Sequence, residues 1–98
     1  VRESTLEARC RKRAAALGWR LPKWVSPGNN GVPDRILLAD GCLVFIEFKA
    51  PGKRPTPLQQ HWIDWLNDHG LRAEVIDSYD AFETLVEELS GAGGRADL

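Results

Sequence analysis

The chain has 98 residues and a formal net charge of −1 at pH 7. That length has room for one small domain with one core. No run of about 18 apolar residues occurs, which excludes a transmembrane helix. The amino end is charged, with no apolar signal segment, so the expectation is a cytoplasmic protein. Cys10 and Cys42 lack metal-ligand spacing and read as small hydrophobes rather than a disulfide. The charge is unevenly placed. Residues 1–54 carry eleven Lys/Arg against five Asp/Glu, and residues 55–98 carry two against nine. A basic half of this kind fits contact with a polyanion, the plainer alternative being a solvated basic helix face.

In chain order, Ser4 to Leu17 reads as a helix. Ser4 is the expected N-cap with Glu7 three residues on, a capping-box pattern. Leu6, Cys10, Ala14 and Leu17 make one stripe, and Gly18 closes the helix. Trp19 to Val25 is a short strand interrupted by Pro22, and Ser26 to Val32 is a loop rich in Gly, Asn and Pro. Two β-rich apolar runs follow, Ile36–Ala39 and Leu43–Phe48, joined at Asp40-Gly41, a strong hairpin signal. The second run is apolar on both faces, which places it in the middle of a sheet with helices on either side. After a loop to Thr56, a helix capped by Thr56 with Pro57 in its first turn reaches about His69. Its expected buried stripe is Leu58, Trp62, Trp65 or Leu66, and His69, and Gly70 ends it. Leu71–Ile76 is a strand, and a last helix begins at Asp77 or Ser78 and ends near Ser90. Residues 1–90 form the expected domain, with 91–98 a disordered tail.

The hairpin carries the chemistry. If Ala39 faces Cys42 across the turn, Asp34 lies opposite Glu47, with Cβ atoms about 4.5–5.5 Å apart. Lys49 lies two residues beyond Glu47 on the same face. Charged groups in segments otherwise destined for burial need a partner or a metal, and two facing carboxylates suit one hard cation.

The ordered stretches Glu7, Lys23, Gly31-Val32-Pro33-Asp34-Arg35, Phe45 through Lys53, and Pro57-Leu58-Gln59 resemble the PD-(D/E)xK nuclease superfamily. The nearer resemblance is to its virus-type replication-repair nuclease (VRR-NUC) domain, in stand-alone form, over nearly all of residues 3–90. It implies an α/β fold, the αβββαβ(α) restriction-endonuclease-like core with a central mixed sheet flanked by helices. It also implies a metal-dependent DNA endonuclease, resolvase-like on four-way or branched DNA, homodimeric, and bacterial or phage-encoded. By this resemblance Asp34 and Glu47 ligate Mg²⁺ or Mn²⁺, with the Phe48 carbonyl as a further oxygen ligand. Glu7 binds through water or holds a second ion. Lys49 positions the attacking water or stabilises the phosphorane, and Gln59 orients Lys49 or a phosphate contact. Lys23 touches DNA phosphate or the edge of the site.

Arg9, Arg11, Lys12 and Arg13, with Arg20, Lys23, Lys53 and Arg54, are the expected phosphate contacts. Each assignment has a plainer rival. Asp34 after Pro33 serves a turn, Glu47 and Lys49 form a surface pair, Glu7 is only a capping acid, and Gln59 is a solvated first-turn residue. Trp62 and Trp65 read as core or dimer interface rather than a base-stacking platform, and His61 and His69 receive no role. The alternative functions are a less selective or restriction-type nuclease, and a catalytically silent DNA-binding or scaffold module. The expected dimer faces are Trp62 with Trp65, or the last helix around Phe82, Leu85 and Leu89.

Overall fold

A computed structural model describes residues 2–94. In chain order the elements are α1 (Glu3–Ala16), β1 (Arg35–Ala39), β2 (Cys42–Phe48), α2 (Pro57–Asp68), β3 (Ala73–Ile76) and α3 (Tyr79–Gly94). The strands form one mixed sheet in the order β1-β2-β3, with β1 antiparallel and β2 parallel to their successors. The central place of β2 follows from its composition, since only a strand covered on both faces can bury apolar side chains in both directions. Val44, Ile46 and Phe48 join Leu37 and Ile76 in the main core with Leu6, Cys10 and Ala14 of α1 and Phe82, Leu85, Val86 and Leu89 of α3. On the other face Phe45 and Val75 pack against a smaller cluster of Ile63, Leu66 and Ala73 under α2.

The hairpin register is the one expected. Ala39 pairs with Cys42 and the ladder continues to Arg35 opposite Ile46, which sets Asp34 and Glu47 as the next facing positions. At the turn Gly41 takes φ +76°, while Asp40 keeps negative φ. Asp40 instead accepts a hydrogen bond at Oδ2 from the Trp19 indole (3.3 Å), tying the hairpin tip to the chain that leaves α1.

Several expectations need correction. Helix α1 begins at Glu3, with Arg2 as an extended N-cap residue that supplies no side-chain bond. Ser4 therefore lies inside the helix and caps nothing. The Trp19–Val25 segment is not a full strand. It bridges β1 only at Arg20 with Leu38 and at Lys23 with Arg35, because Pro22 between them has no N–H to donate; its carbonyl accepts from Ile36 instead (3.0 Å). The buried stripe of α2 is Ile63 and Leu66, whereas Leu58, Trp65 and His69 are exposed. The two candidate stripes lie side by side on this helix, and the shallow patch formed by Phe45, Ala73 and Val75 accepts the aliphatic one. Trp65 stacks outside on His69, ring centroids 4.0 Å apart. Helix α3 runs to Gly94, past the expected end near Ser90, so residues 91–94 are helical where a tail was expected; residues 95–98 lie outside the described residues. Phe82, Leu85 and Leu89 are core and offer no face to a partner.

Other signals hold as read. Thr56 Oγ1 accepts from the Gln59 N–H (3.2 Å) while Gln59 Oε1 accepts from the Thr56 N–H (2.9 Å), closing a reciprocal capping box before Pro57, a device worth about 1 kcal/mol. Ser78 Oγ accepts from the Ala81 N–H at the start of α3 (3.1 Å).

Gly31 fixes how the loop before Asp34 docks on α2. It sits at φ +89°, and a Cβ there would come within 2.7 Å of Leu58 Cγ. Gly52 has a similar φ of +80° with open space around it. Both substitutions to Ala incur the backbone strain, more than about 1 kcal/mol each, but only Gly31→Ala also meets a neighbour. Gly31→Ala should therefore lower stability measurably more than Gly52→Ala in urea unfolding, and equal losses would show that the Leu58 contact does not matter.

Candidate active site

The end of the hairpin remote from its turn brings two strand edges and the first turns of α1 together. Asp34, the residue before β1, accepts at Oδ2 from the backbone N–H of Phe48 (3.2 Å). This bond extends the ladder by one step and holds the carboxylate against the end of β2. Glu47 projects from the same face of β2 and is only 2% exposed. Its Oε2 lies 3.5 Å from Lys49 Nζ, and its Oε1 is buried with no hydrogen-bond partner among the described residues.

From α1, Glu3 and Glu7 are one turn apart and so share a face. Their carboxylates and that of Asp34 each place an oxygen within 4.8 Å of the others. Glu3 was not singled out from the sequence. Its signal was present in the i, i+4 spacing with Glu7, hidden by the reading of Glu7 as a capping acid. Glu7 does no capping. Its Oε2 accepts from Arg35 Nε at 2.6 Å, and Arg35 Nη1 donates to the Leu21 carbonyl at 2.8 Å. Arg35 is itself buried, a second site residue the sequence reading passed over although it stands beside Asp34. Removing one partner from such a buried pair typically costs about 3–5 kcal/mol.

The electrostatics follow from this crowding. Burial pushes the Glu47 carboxyl up from 4.5 to about 7; the neighbouring Asp34 charge adds to the rise and the Lys49 ammonium opposes it. Glu3 is also raised, first by burial and then by Asp34 and Glu7, again with Lys49 opposing. Several like charges are thus held together with one oxygen left unpartnered, an arrangement costly on its own terms. The donor set is all oxygen and mostly carboxylate, the chemistry of a hard divalent cation. The carboxylates that converge closely enough to share one ion are Glu3, Glu7 and Asp34; Glu47 neighbours Asp34 but is outside that group.

The remaining expected residues divide. Lys49 stands in the site. Gln59 is at the start of α2 with its carbonyl engaged by Thr56. Lys23, Lys53 and Arg54 are exposed, Lys23 beside Arg35 and the other two in the loop between β2 and α2. The basic run of α1 splits by helical phase. Arg9 lies over the Tyr79 ring at 3.6 Å and Arg13 pairs with Glu83 at 2.7 Å, so both face α3, whereas Arg11 and Lys12 face away from it toward Arg20 and Lys23.

An acid before one strand of a hairpin, Glu-x-Lys at the end of the central strand, and helices on both faces of a mixed sheet define an α/β protein of the restriction-endonuclease-like class. Residues 2–80 match the VRR-NUC domain family. A phage protein named "Putative nuclease p44", from Acyrthosiphon pisum secondary endosymbiont phage 1, is 40% identical over 81 residues, covering 82% of this chain and 87% of that protein. A solved structure titled "VRR_NUC domain" superposes with a TM-score of 0.80 at 26% identity, covering 87% of this chain and 94% of that one. A second, "VRR_NUC domain protein", gives a TM-score of 0.72 at 17% identity over 89% of this chain and 86% of that one, and shares the fold. The chain belongs to the VRR-NUC domain family.

The raised Glu47 value carries a stability consequence. An acid that is weaker folded than unfolded binds more protons in the folded state between the two values, so stability falls as pH rises through that window. In EDTA the protein should lose melting temperature between pH 4.5 and about 7. Glu47→Gln should flatten that decline and melt higher than wild type at pH 8. Parallel pH profiles for the two proteins would contradict the assignment.

Proposed function

We propose that the chain is a Mg²⁺- or Mn²⁺-dependent endodeoxyribonuclease that acts on branched DNA, four-way junctions foremost, as a homodimer. The observation that carries the reading is the unpartnered, buried Glu47 oxygen beside Asp34 and Lys49. A buried acceptor of this kind is expensive unless something completes it, and the surrounding carboxylates make a cation the fitting partner. Membership of a nuclease family and the 40% identical phage protein named as a nuclease support the chemistry. With all four carboxylates ionised, Glu3, Glu7, Asp34 and Glu47 exceed Arg35 and Lys49 by two charges, which one divalent ion would balance.

Asp34 and Glu47 would hold the ion, with the Phe48 carbonyl as a further oxygen; bound there, it supplies Lewis-acid neutralisation of the phosphate and a more acidic water. The protein's own groups do the rest. Asp34 is fixed by the Phe48 N–H, so its carboxylate needs no reorganisation. Lys49, held near Glu47, offers an ammonium to the negative charge that develops on the phosphate as the attacking oxygen bonds to phosphorus. Arg35 keeps Glu7 oriented toward Asp34. Gln59, anchored by its capping box at the start of α2, would offer its amide NH₂ to a phosphate oxygen of the substrate. Such a substrate places the protein in the cytoplasm of a bacterial or phage-infected cell.

A junction cut symmetrically needs two sites related by a two-fold axis, and one chain offers one site. With the α3 face in the core, the dimer face lies on α2, where Trp65 is 43% exposed and Leu58 49%. The second reading, a less selective monomeric nuclease, gives up this face but keeps the site.

Cleavage of four-way, flap, single-stranded and linear duplex DNA with Mg²⁺ should favour the four-way junction and vanish in EDTA. Asp34→Asn and Glu47→Gln should abolish it with the fold retained. Lys49→Ala should lose orders of magnitude in rate yet still bind metal; a normal rate at saturating metal would make Lys49 structural. Sedimentation at micromolar concentration should give a dimer that Trp65→Ser weakens. A strict monomer, free and on a junction, would leave the simpler nuclease.

A further inference from the structure

We infer that the groove between α1 and the Trp19–Lys23 segment is the track along which the phosphate backbone of the DNA arm beside the cleaved bond runs. The inference rests on the nuclease reading above and assigns a path to its substrate. The groove encloses about 690 Å³. One wall is a single stripe of α1, with Arg11 and Lys12 between Ala8 and Ala15; the other carries Arg20 and Lys23. No acidic residue lines it. The four cations are exposed, and none has an ion-pair partner among the described residues. This separates them from Arg9 and Arg13, whose guanidinium groups are engaged by Tyr79 and Glu83.

The two flanking alanines matter as much as the charges. At i−3 and i+4 from Arg11, and i−4 and i+3 from Lys12, they carry only a methyl group, so a bulky sugar-phosphate chain can approach the helix while the long basic side chains reach it from both walls. Arg35 lies at the inner end of the groove and bonds to Glu7 of the acidic site. Groove and site therefore adjoin across one largely buried ion pair, which sets the basic wall beside the acidic site. The cations stand on two rigid supports, a helix and a segment bridged to β1, as fixed phosphate spacing requires. A polyanion of regular repeat suits this arrangement better than an acidic peptide, whose carboxylates hang on flexible stems.

The test compares the 98-residue wild type with Arg11→Gln/Lys23→Gln and with Arg9→Gln/Arg13→Gln, a matched loss of two charges on the face toward α3. Binding to a fluorescent duplex is followed by anisotropy in EDTA across a salt series, with melting curves to check the fold. Losing the two groove contacts should lower the salt slope by roughly two and weaken binding by roughly tenfold or more at 0.1 M salt. Arg9→Gln/Arg13→Gln should leave the slope within about half a unit of wild type. Equal losses from both variants would mean a diffuse positive field and overturn the track. So would wild-type affinity and slope in the groove variant, no duplex binding by wild type, or equal binding of wild type to poly-glutamate of the same charge. A wild type that binds duplex through the groove but cuts no DNA with Mg²⁺ would sink the nuclease reading, and with it the placement of the track beside a cleaved bond, while the groove stood as the DNA-backbone path.

Discussion

The architecture turns on a carboxylate placed where carboxylates are disfavoured. Glu47 sits near the end of the central strand, 2% exposed, with one oxygen meeting no donor among the described residues. Its position follows from register alone. Once Asp40-Gly41 makes the turn and Ala39 faces Cys42, every side chain of β2 is committed to a face, and a slip of one residue would turn Glu47 into the apolar core of α1 and α3. The same register brings Asp34 to the Phe48 N–H. Apolar packing of Val44, Ile46 and Phe48 thus holds the charges together against their repulsion, which is how a small core can maintain an arrangement that is unfavourable in isolation.

The amino-terminal helix serves that arrangement from outside the sheet. Its buried stripe, Leu6, Cys10 and Ala14, fixes its rotation over the core. That rotation leaves Glu3 and Glu7 directed at Asp34, Arg9 and Arg13 at α3, and Arg11 and Lys12 at the opposite groove. One amphipathic helix therefore sorts its charges into three destinations. The strongly basic first half of the sequence is in consequence not one patch. Part of it offsets the acidic α3, part clamps Glu7 through Arg35, and only the remainder is open to a polyanion. Burial also removes Cys10 from redox chemistry, since its thiol is pushed up to about 12 by desolvation.

What the sequence disclosed depended on whether a local pattern had a rival. The hairpin register was legible because Asp-Gly between two β-rich runs admits few alternatives, and it delivered Asp34, Glu47 and Lys49 together. The central place of β2 was legible because its residues are apolar in both phases. On helix α2 the expected stripe held at Leu66 but not at Leu58, Trp65 or His69, and Ile63 took their place, because periodicity cannot tell which of two adjacent stripes meets the sheet. Glu3 and Arg35 were missed for a different reason. Arg35 meets Glu7 across 28 residues, a contact no local spacing encodes; the i, i+4 spacing of Glu3 and Glu7 was visible, but not the Asp34 carboxylate they converge on. The start of α1 failed similarly: Ser4 and Glu7 match a capping box, but Glu7 is drawn away by a tertiary partner stronger than a cap.

The central claim is that Glu47 and Asp34 are held close because a hard cation completes them. Its most direct measurement is thermal unfolding at pH 7.5 with and without Mn²⁺, for wild type and Glu47→Gln. A ligand that binds only the folded state stabilises it in proportion to the logarithm of its concentration over Kd, about 2.7 kcal/mol at a hundredfold excess. Wild type should therefore gain several degrees with saturating Mn²⁺, and Glu47→Gln should gain little. An equal gain in both proteins, or none in wild type, would contradict the account.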